Sequence, residues 1–322
     1  MFTLSELEDA ARLVHARMQP TPQIRWPLLA ARTGADVVVK HENHAPTGAF
    51  KVRGGITFID WLTRTHPGMR GIVTATRGNH GQSQARAAVA AGLAARIYVP
   101  HGNSVEKNAA MRAFGGEVIE HGADFDEARE EAMRVAQREG LFPVPPFHRE
   151  LVRGVATYGL ELMLAEPDLE AIYAPIGCGS GICGLIAARD ALGRRTDIIG
   201  VVSAEAPAVR LSVAAGRLVE TDSAATFADG MAVRVPVQAA FDIYATGAAR
   251  ILTVSEAELA RAMRAYFTDT HNIAEGAGAA ALAGLMQEAQ AMRGRRVAVI
   301  LSGANIDRGW YRQVLDGAIP QL

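Results

Sequence analysis

The sequence predicts an α/β fold of two open, mainly parallel sheets with flanking helices. Three observations predict it. Short β-branched runs alternate with alanine-rich stretches of helical length. The runs are mostly apolar, as expected of strands buried on both faces. Glycine-rich turns follow several of them and open the next helical stretch.

The elements follow in order. MFTLSELEDAARLVHARMQ reads as a helix with Ser5 and Glu8 as a capping box, and it lacks the basic flank and apolar run of a signal peptide. Strand-like runs are DVVVKHE (36–42), GIVTAT (71–76), ARIYVP (95–100), AIYAPI (171–176), DIIGVVSA (197–204) and RVAVIL (296–301). KVRGGITFIDWL reads as a helix that Lys51 opens. Residues 70–143 carry their own series: GIVTAT, a helix near 82–91, ARIYVP, a helix near 105–114, EVIEH and a helix near 125–139. PVPPF (143–147) then reads as a rigid return connection. The expected organisation is a small domain, 70–143, set into a larger one made of 1–69 and 144–322.

Composition narrows the function classes. The 322 residues suffice for two domains, and 49% hydrophobic residues can bury a sizeable core. With 33 basic and 34 acidic side chains, no charge asymmetry argues for nucleic acid or a membrane surface. No apolar stretch reaches the ~20 residues needed to span a bilayer. A soluble, cytoplasmic protein is expected. Cys178 and Cys183 share one glycine-rich stretch and lack the spacing and partners of a disulfide or metal pair, so reduced thiols are expected. His41 and His44 show no recognised metal spacing.

Four short segments carry the chemistry. In TGAFKVRGG, Lys51 stands at a helix N-terminus, where the positive field favours the neutral amine that attacks an aldehyde. In TRGNHGQ, the turn Thr76-Arg77-Gly78-Asn79-His80 offers successive backbone N–H groups suited to a substrate carboxylate. Asn79 there either hydrogen-bonds a ligand oxygen or merely caps the helix, and His80 has an ordinary structural reading beside the functional one. In GCGSG, the loop Gly177-Cys178-Gly179-Ser180-Gly181 follows a buried strand and opens a helix, so its amides and the Ser180 hydroxyl suit a phosphate. In SGAN, Ser302 ends the strand RVAVIL, at the ligand-binding edge of an open α/β sheet. Its hydroxyl can bond a pyridine nitrogen or simply terminate a turn. A lysine, an amide-rich loop, a glycine cradle and a hydroxyl would together hold pyridoxal phosphate.

A rival reading shares the third segment. Gly179, Gly181 and Gly184 fit G-x-G-x-x-G, with Glu205 at about the distance of a ribose-binding acid, as in a nicotinamide-dependent oxidoreductase. That reading explains neither Lys51 nor the Asn79 loop. A pyridoxal-phosphate-binding protein without efficient catalysis is a third class.

TGAFKVRGG, TRGNHGQ, APIGCGSG, TFADGMAV (226–233), EGAGAAAL (275–282) and LSGANID (301–307) stand in the order seen in the serine/threonine dehydratase group of fold-type II pyridoxal-phosphate enzymes, and the chain resembles that group over almost its whole length. The resemblance implies Lys51 as the Schiff-base lysine, Phe50 packed beside the cofactor and Asn79 on its phenolate oxygen. It likewise implies Gly177 to Gly181 around the phosphate and Ser302 at the ring nitrogen. The larger domain would then bind the cofactor and the smaller one carry the substrate loop. The implied reaction is loss of ammonia from a β-hydroxy-L-amino acid: Lys51 removes the Cα proton, hydroxide leaves Cβ, and a released aminoacrylate becomes a 2-oxo acid. A homodimer is implied too. Because the chain stops soon after LSGANID, the regulatory domain of some threonine dehydratases, and its feedback control, are not expected.

Two departures qualify the resemblance. Where many relatives have two serines before Gly-Asn-His, this chain has Thr76 and Arg77. A guanidinium with a pKa above about 12 is a poor reversible proton carrier, so racemisation is disfavoured. Arg77 is expected to lie buried beside the substrate, where it requires an anionic partner: Glu275, or a distal group of the substrate. At GVVSAEAPAV (200–209), Val202 stands where relatives with a cation site have a glutamate, so no metal is expected there.

Overall fold

The computed structural model describes residues 1–321. Ten strands among them form two sheets: β1 (Gln23–Arg25), β2 (Asp36–His41), β3 (Gly71–Ala75), β4 (Ala94–Val99), β5 (Glu117–Glu120), β6 (Phe142–Pro143), β7 (Ala171–Pro175), β8 (Asp197–Ser203), β9 (Arg250–Val254) and β10 (Arg296–Leu301). The larger sheet has the order β1-β2-β10-β7-β8-β9, parallel except for β1, and the smaller has the order β5-β4-β3-β6, parallel throughout.

The apolar runs are apolar because both faces are covered. In β10, Val297, Val299 and Leu301 join one cluster with the helices Glu256–Thr270 and Gly276–Gln287, while Ala298 and Ile300 join another with Arg149–Ala165 and Ser180–Ala191. The small sheet repeats the pattern: Ile72 and Ile97 face one cluster, Val73 and Tyr98 the other. The helix Lys51–Thr65 joins the two layers, burying Phe58, Ile59 and Leu62 against the small sheet.

Local details differ from expectation in three places. The first helix starts earlier, with a capping box of Thr3 and Glu6 rather than Ser5 and Glu8. The same S/T-x-x-E pattern occurs in both registers, and the earlier one lets Leu7, Ala10 and Val14 form the buried face. The helix after β3 begins at Asn79, not near 82. Pro143 is not simply connection: it pairs with Val73 in edge strand β6, where a missing N–H is tolerated. Strands β1 and β9 had no distinct signal.

The parallel order places the carboxyl ends of β2, β10 and β7 side by side. Leu301 pairs with His41, and β10 also pairs with β7. The segments that follow these three strands therefore emerge at one sheet edge, where ligands of open α/β sheets bind.

Candidate active site

The loop before Lys51 is fastened to the segment after β10. Asn305 Nδ2 donates to the Thr47 carbonyl at 2.8 Å, the Ala304 amide to Gly48 at 2.9 Å, and the Phe50 amide to Ser302 at 3.0 Å. Gly48 has φ +67°, and a Cβ there would lie 2.7 Å from Asn305 Oδ1, so the turn requires glycine. Lys51 opens the helix Lys51–Thr65, and among the described residues its ammonium makes no ion pair. Its charge nevertheless acts on His80, Cys178 and Glu275, which places it within electrostatic reach of two other segments.

A buried ion cluster holds that helix from below. Arg53 is fully buried and bonds Glu42 at 2.8 and 3.0 Å and Glu161 at 2.6 and 3.0 Å, while Lys40 pairs with Glu161 as well. Burial raises the Glu161 carboxyl's proton affinity, but Arg53 and Lys40 outweigh it and bring the pKa down to about 2. Two cations and two anions thus balance, as buried charges must. Nothing local in the sequence signals this cluster, since Glu161 lies 108 residues beyond Arg53.

Beyond β3, Thr76 is buried and its Oγ1 accepts from the amides of Gly78 at 3.0 Å and Gly81 at 3.3 Å. The Gly78 amide, expected to face a carboxylate, is thereby committed to Thr76. Thr76 performs the capping that Asn79 was able to do, and Asn79 turns inward instead. Its Nδ2 donates to Glu275 Oε1 at 2.8 Å and its Oδ1 accepts from Asn305 Nδ2 at 2.7 Å. His80 Nε2 is buried without a partner, and burial, reinforced by Lys51, pushes the imidazole down to about 3. The ring is neutral at ordinary pH.

Arg77 is not where the sequence reading put it. Its side chain is exposed and makes no ion pair with Glu275 or any other described residue. Thr76 points inward to cap the helix, so its neighbour points out. The buried cation here is Lys107, which the sequence reading overlooked. A Cβ at Gly78 would lie 2.7 Å from Lys107 Cδ, and the ammonium pairs with Asp229 of the TFADGMAV stretch. Burial lowers the Lys107 proton affinity, but Asp229 and Glu275 more than offset it.

The Gly177–Gly181 loop links β7 to the helix Ser180–Ala191. A Cβ at Gly177 would stand 2.2 Å from the Gly230 carbonyl, and at Gly179, with φ +99°, 2.7 Å from Ala240 Cβ. Tyr158 donates to the Gly181 carbonyl at 2.8 Å, and a Cβ at Gly181 would lie 3.6 Å from the Phe50 ring. Phe50 thus spans from the lysine loop to the glycine loop. Cys178 and Cys183 are free thiols, both raised by burial. Gly184 approaches Ala156 of the helix Arg149–Ala165, so the last glycine of the G-x-G-x-x-G pattern serves helix packing. Val202 is buried and Glu205 exposed in the turn after β8.

Ser302 is buried, and its Oγ lies 3.4 Å from the Ala277 carbonyl, longer than the roughly 2.5–3.0 Å of a good O–H···O bond. The structure therefore brings Phe50, Asn79 and Ser302 into one connected arrangement with the start of the lysine helix, while Arg77 stands outside it.

Comparison with known proteins agrees with this geometry. A family model described as pyridoxal-phosphate dependent enzyme matches residues 15–303. The chain is 33% identical over 317 residues to L-threonine ammonia-lyase of Thermotoga maritima, covering 98% of this chain and 79% of that protein. It resembles the processed form of threonine deaminase isoform 2 from Solanum lycopersicum with a TM-score of 0.89 and 28% identity, covering 98% and 94% of the two chains. Maize serine racemase gives a TM-score of 0.91 at 25% identity, covering 98% and 97%. No comparable match supports a nicotinamide-dependent reading among these. The residues present fit pyridoxal phosphate: a glycine loop at a helix N-terminus whose backbone packs too closely at Gly177 and Gly179 to admit a Cβ, a lysine without an ion pair among the described residues, an uncommitted Asn79 N–H and a loosely held Ser302 hydroxyl. Among the described residues, no helix is long and apolar enough to cross a membrane.

Proposed function

Because this chain belongs to the pyridoxal-phosphate dependent enzyme family, we propose that it is an ammonia-lyase that converts a β-hydroxy-L-amino acid to a 2-oxo acid and ammonia. The observation that carries the reading is the hydrogen-bonded joining of the Lys51 loop, Asn79 and Ser302 at the same sheet edge as the Gly177–Gly181 loop. Bound pyridoxal phosphate supplies the electron sink for the pair of electrons left at Cα.

The protein residues do the rest. The amides of Gly177 to Gly181 and the Ser180 hydroxyl hold the phosphate at a helix N-terminus. Phe50 would pack beside the ring, Asn79 would donate its free N–H to the ring oxygen, and Ser302 would bond the ring nitrogen without keeping it protonated, because a hydroxyl lacks a carboxylate's charge. Lys51 takes the Cα proton as general base. Thr76, Gly78, Asn79 and His80 shape the site for the substrate carboxylate, and a neutral His80 adds no competing charge.

The substrate we propose carries an acidic or aromatic group on Cβ, as in 3-hydroxyaspartate or phenylserine. The support is Arg77, an exposed cation on the substrate loop without an ion-pair partner among the described residues. Such a group can turn onto a distal carboxylate bidentately or stack on an aromatic ring. The proposal includes a cytoplasmic homodimer, with 1–69 and 144–322 binding the cofactor and 70–143 carrying the substrate loop.

The test is purified protein with bound cofactor. A visible band removed by borohydride, and ammonia release from at least one of serine, threonine, 3-hydroxyaspartate and phenylserine, are expected. A protein with the band but no ammonia from any of the four would overturn the lyase reading.

A further inference from the structure

Asn79 lies in a hydrogen-bond chain whose direction is fixed at one end. The Thr47 carbonyl can only accept, and Asn305 Nδ2 donates to it at 2.8 Å. The same nitrogen gives its other hydrogen to Asn79 Oδ1 at 2.7 Å. The Asn79 oxygen therefore faces Asn305, and its nitrogen faces Glu275 Oε1 at 2.8 Å. An amide nitrogen carries two hydrogens. One goes to Glu275 and one is left.

Glu275 makes this one side-chain hydrogen bond among the described residues. It is the N-cap residue of the helix Gly276–Gln287, yet its side chain caps no amide there. It is 4% exposed, with Oε2 buried and unpartnered. A Cβ at Gly303 would lie 2.6 Å from Oε1, so the glycine leaves the space the carboxyl occupies. Three charged groups face it: Lys107 from the helix Val105–Ala113, Asp229 from the turn Asp229–Met231, and Lys51 from the helix Lys51–Thr65.

We propose that Glu275 is a positioning residue that acts through Asn79, holding the amide so that its one uncommitted N–H is presented to the cofactor's ring oxygen and setting how strongly that N–H donates. The inference rests on the role proposed for Asn79. An amide that gives one hydrogen to a carboxylate is a poorer donor through its second than one that gives it to a neutral carboxyl, because linked hydrogen bonds polarise one another. Burial, opposed by Lys107 and reinforced by Asp229, pushes the Glu275 carboxyl up to about 7. The change in donor strength then falls near neutral pH.

The experiment is a double-mutant cycle on the holoprotein, reading the cofactor dissociation constant and the pH dependence of its visible band. Asn79→Ala is expected to weaken cofactor binding about 10-fold, the order of one hydrogen bond. Glu275→Leu is expected to weaken it comparably in the wild-type background but less than about 2-fold in the Asn79→Ala background, the signature of coupled residues. Glu275→Gln, whose oxygen accepts the same hydrogen, keeps the affinity within about 3-fold and removes the band shift between about pH 6 and 8. Additive losses in the cycle overturn the inference while leaving the role of Asn79 intact. If Asn79→Ala alone changes neither affinity nor band, the proposed role of Asn79 fails and the inference with it. Should Glu275→Leu not fold, the glutamine variant decides: a wild-type band that does not shift over this range, or a variant that keeps the shift, overturns the proposal.

Discussion

The amide of Phe50 donates to the carbonyl of Ser302 at 3.0 Å, so the residue before Lys51 and the residue that follows β10 are one hydrogen bond apart. Ala49 and Gly303 form a bridge at the same place. The lysine loop and the Ser302 turn thus move as one piece, and geometry set at one is felt at the other.

Replacement of Lys51 is the most direct probe of the reaction. Lys51→Ala should abolish the borohydride-sensitive band and 2-oxo acid formation. The side chain makes no ion pair among the described residues, so thermal unfolding of the apoprotein should stay close to wild type. Near-normal turnover in this variant would reject Lys51 as the base.

Ser302→Asp should place a carboxylate where the hydroxyl now lies loosely, 3.4 Å from the Ala277 carbonyl. A carboxylate favours a protonated neighbour, so the cofactor's ring nitrogen should keep its proton and the sink should strengthen. Elimination should slow, and exchange of the Cα hydrogen with solvent deuterium should rise relative to ammonia release. An unchanged exchange-to-elimination ratio would remove Ser302 from the ring nitrogen.

The glycine loop should tolerate no methyl group. Gly177→Ala meets the Gly230 carbonyl at 2.2 Å, and Gly179→Ala combines φ +99° with a 2.7 Å contact to Ala240. Neither a backbone carbonyl nor a Cβ fixed to its backbone can yield as the end of a flexible side chain would, so each should cost about 1–3 kcal/mol of stability. Each should also weaken binding of the cofactor phosphate. Thermal melts of the apoprotein and cofactor titration check the two effects separately.

His80 makes the apoprotein sensitive to acid. Its imidazole is held down to about 3 from an ordinary 6.5, chiefly by burial. Between those values the unfolded chain binds the extra proton, so this contribution is complete above about pH 6.5 and is lost as pH falls toward 3. His80→Asn should flatten the acid limb of the melting temperature against pH; curves of equal slope for the two proteins would count against a buried neutral imidazole.

Arg77→Ser should leave stability within about 0.5 kcal/mol of wild type, since the side chain is exposed and unpaired. Its effect should appear in kcat/KM, falling for 3-hydroxyaspartate or phenylserine relative to serine and threonine. A wild-type preference for serine or threonine that the substitution leaves unchanged would eliminate the selector role.

Local features could be read directly from the amino-acid pattern. Strands β2, β3, β4, β7, β8 and β10 were legible because burial on both faces requires unbroken apolar runs, and the glycine turns after β3 and β7 because backbone conformation and close approach demand that residue there. The order of the six segments from TGAFKVRGG to LSGANID likewise sufficed for the family and its cofactor. Short β1 and β6 were not legible, since two or three residues carry no periodicity and pairing alone makes them strands. Contacts between distant segments became visible only in the packed molecule. Asn79 and Glu275 stand 196 residues apart, Arg53 pairs with Glu42 and Glu161, and Lys107 rather than Arg77 is the buried cation beside the turn at Gly78. A side chain's direction and its ionic partner depend on which distant elements pack against it, and no local pattern encodes that.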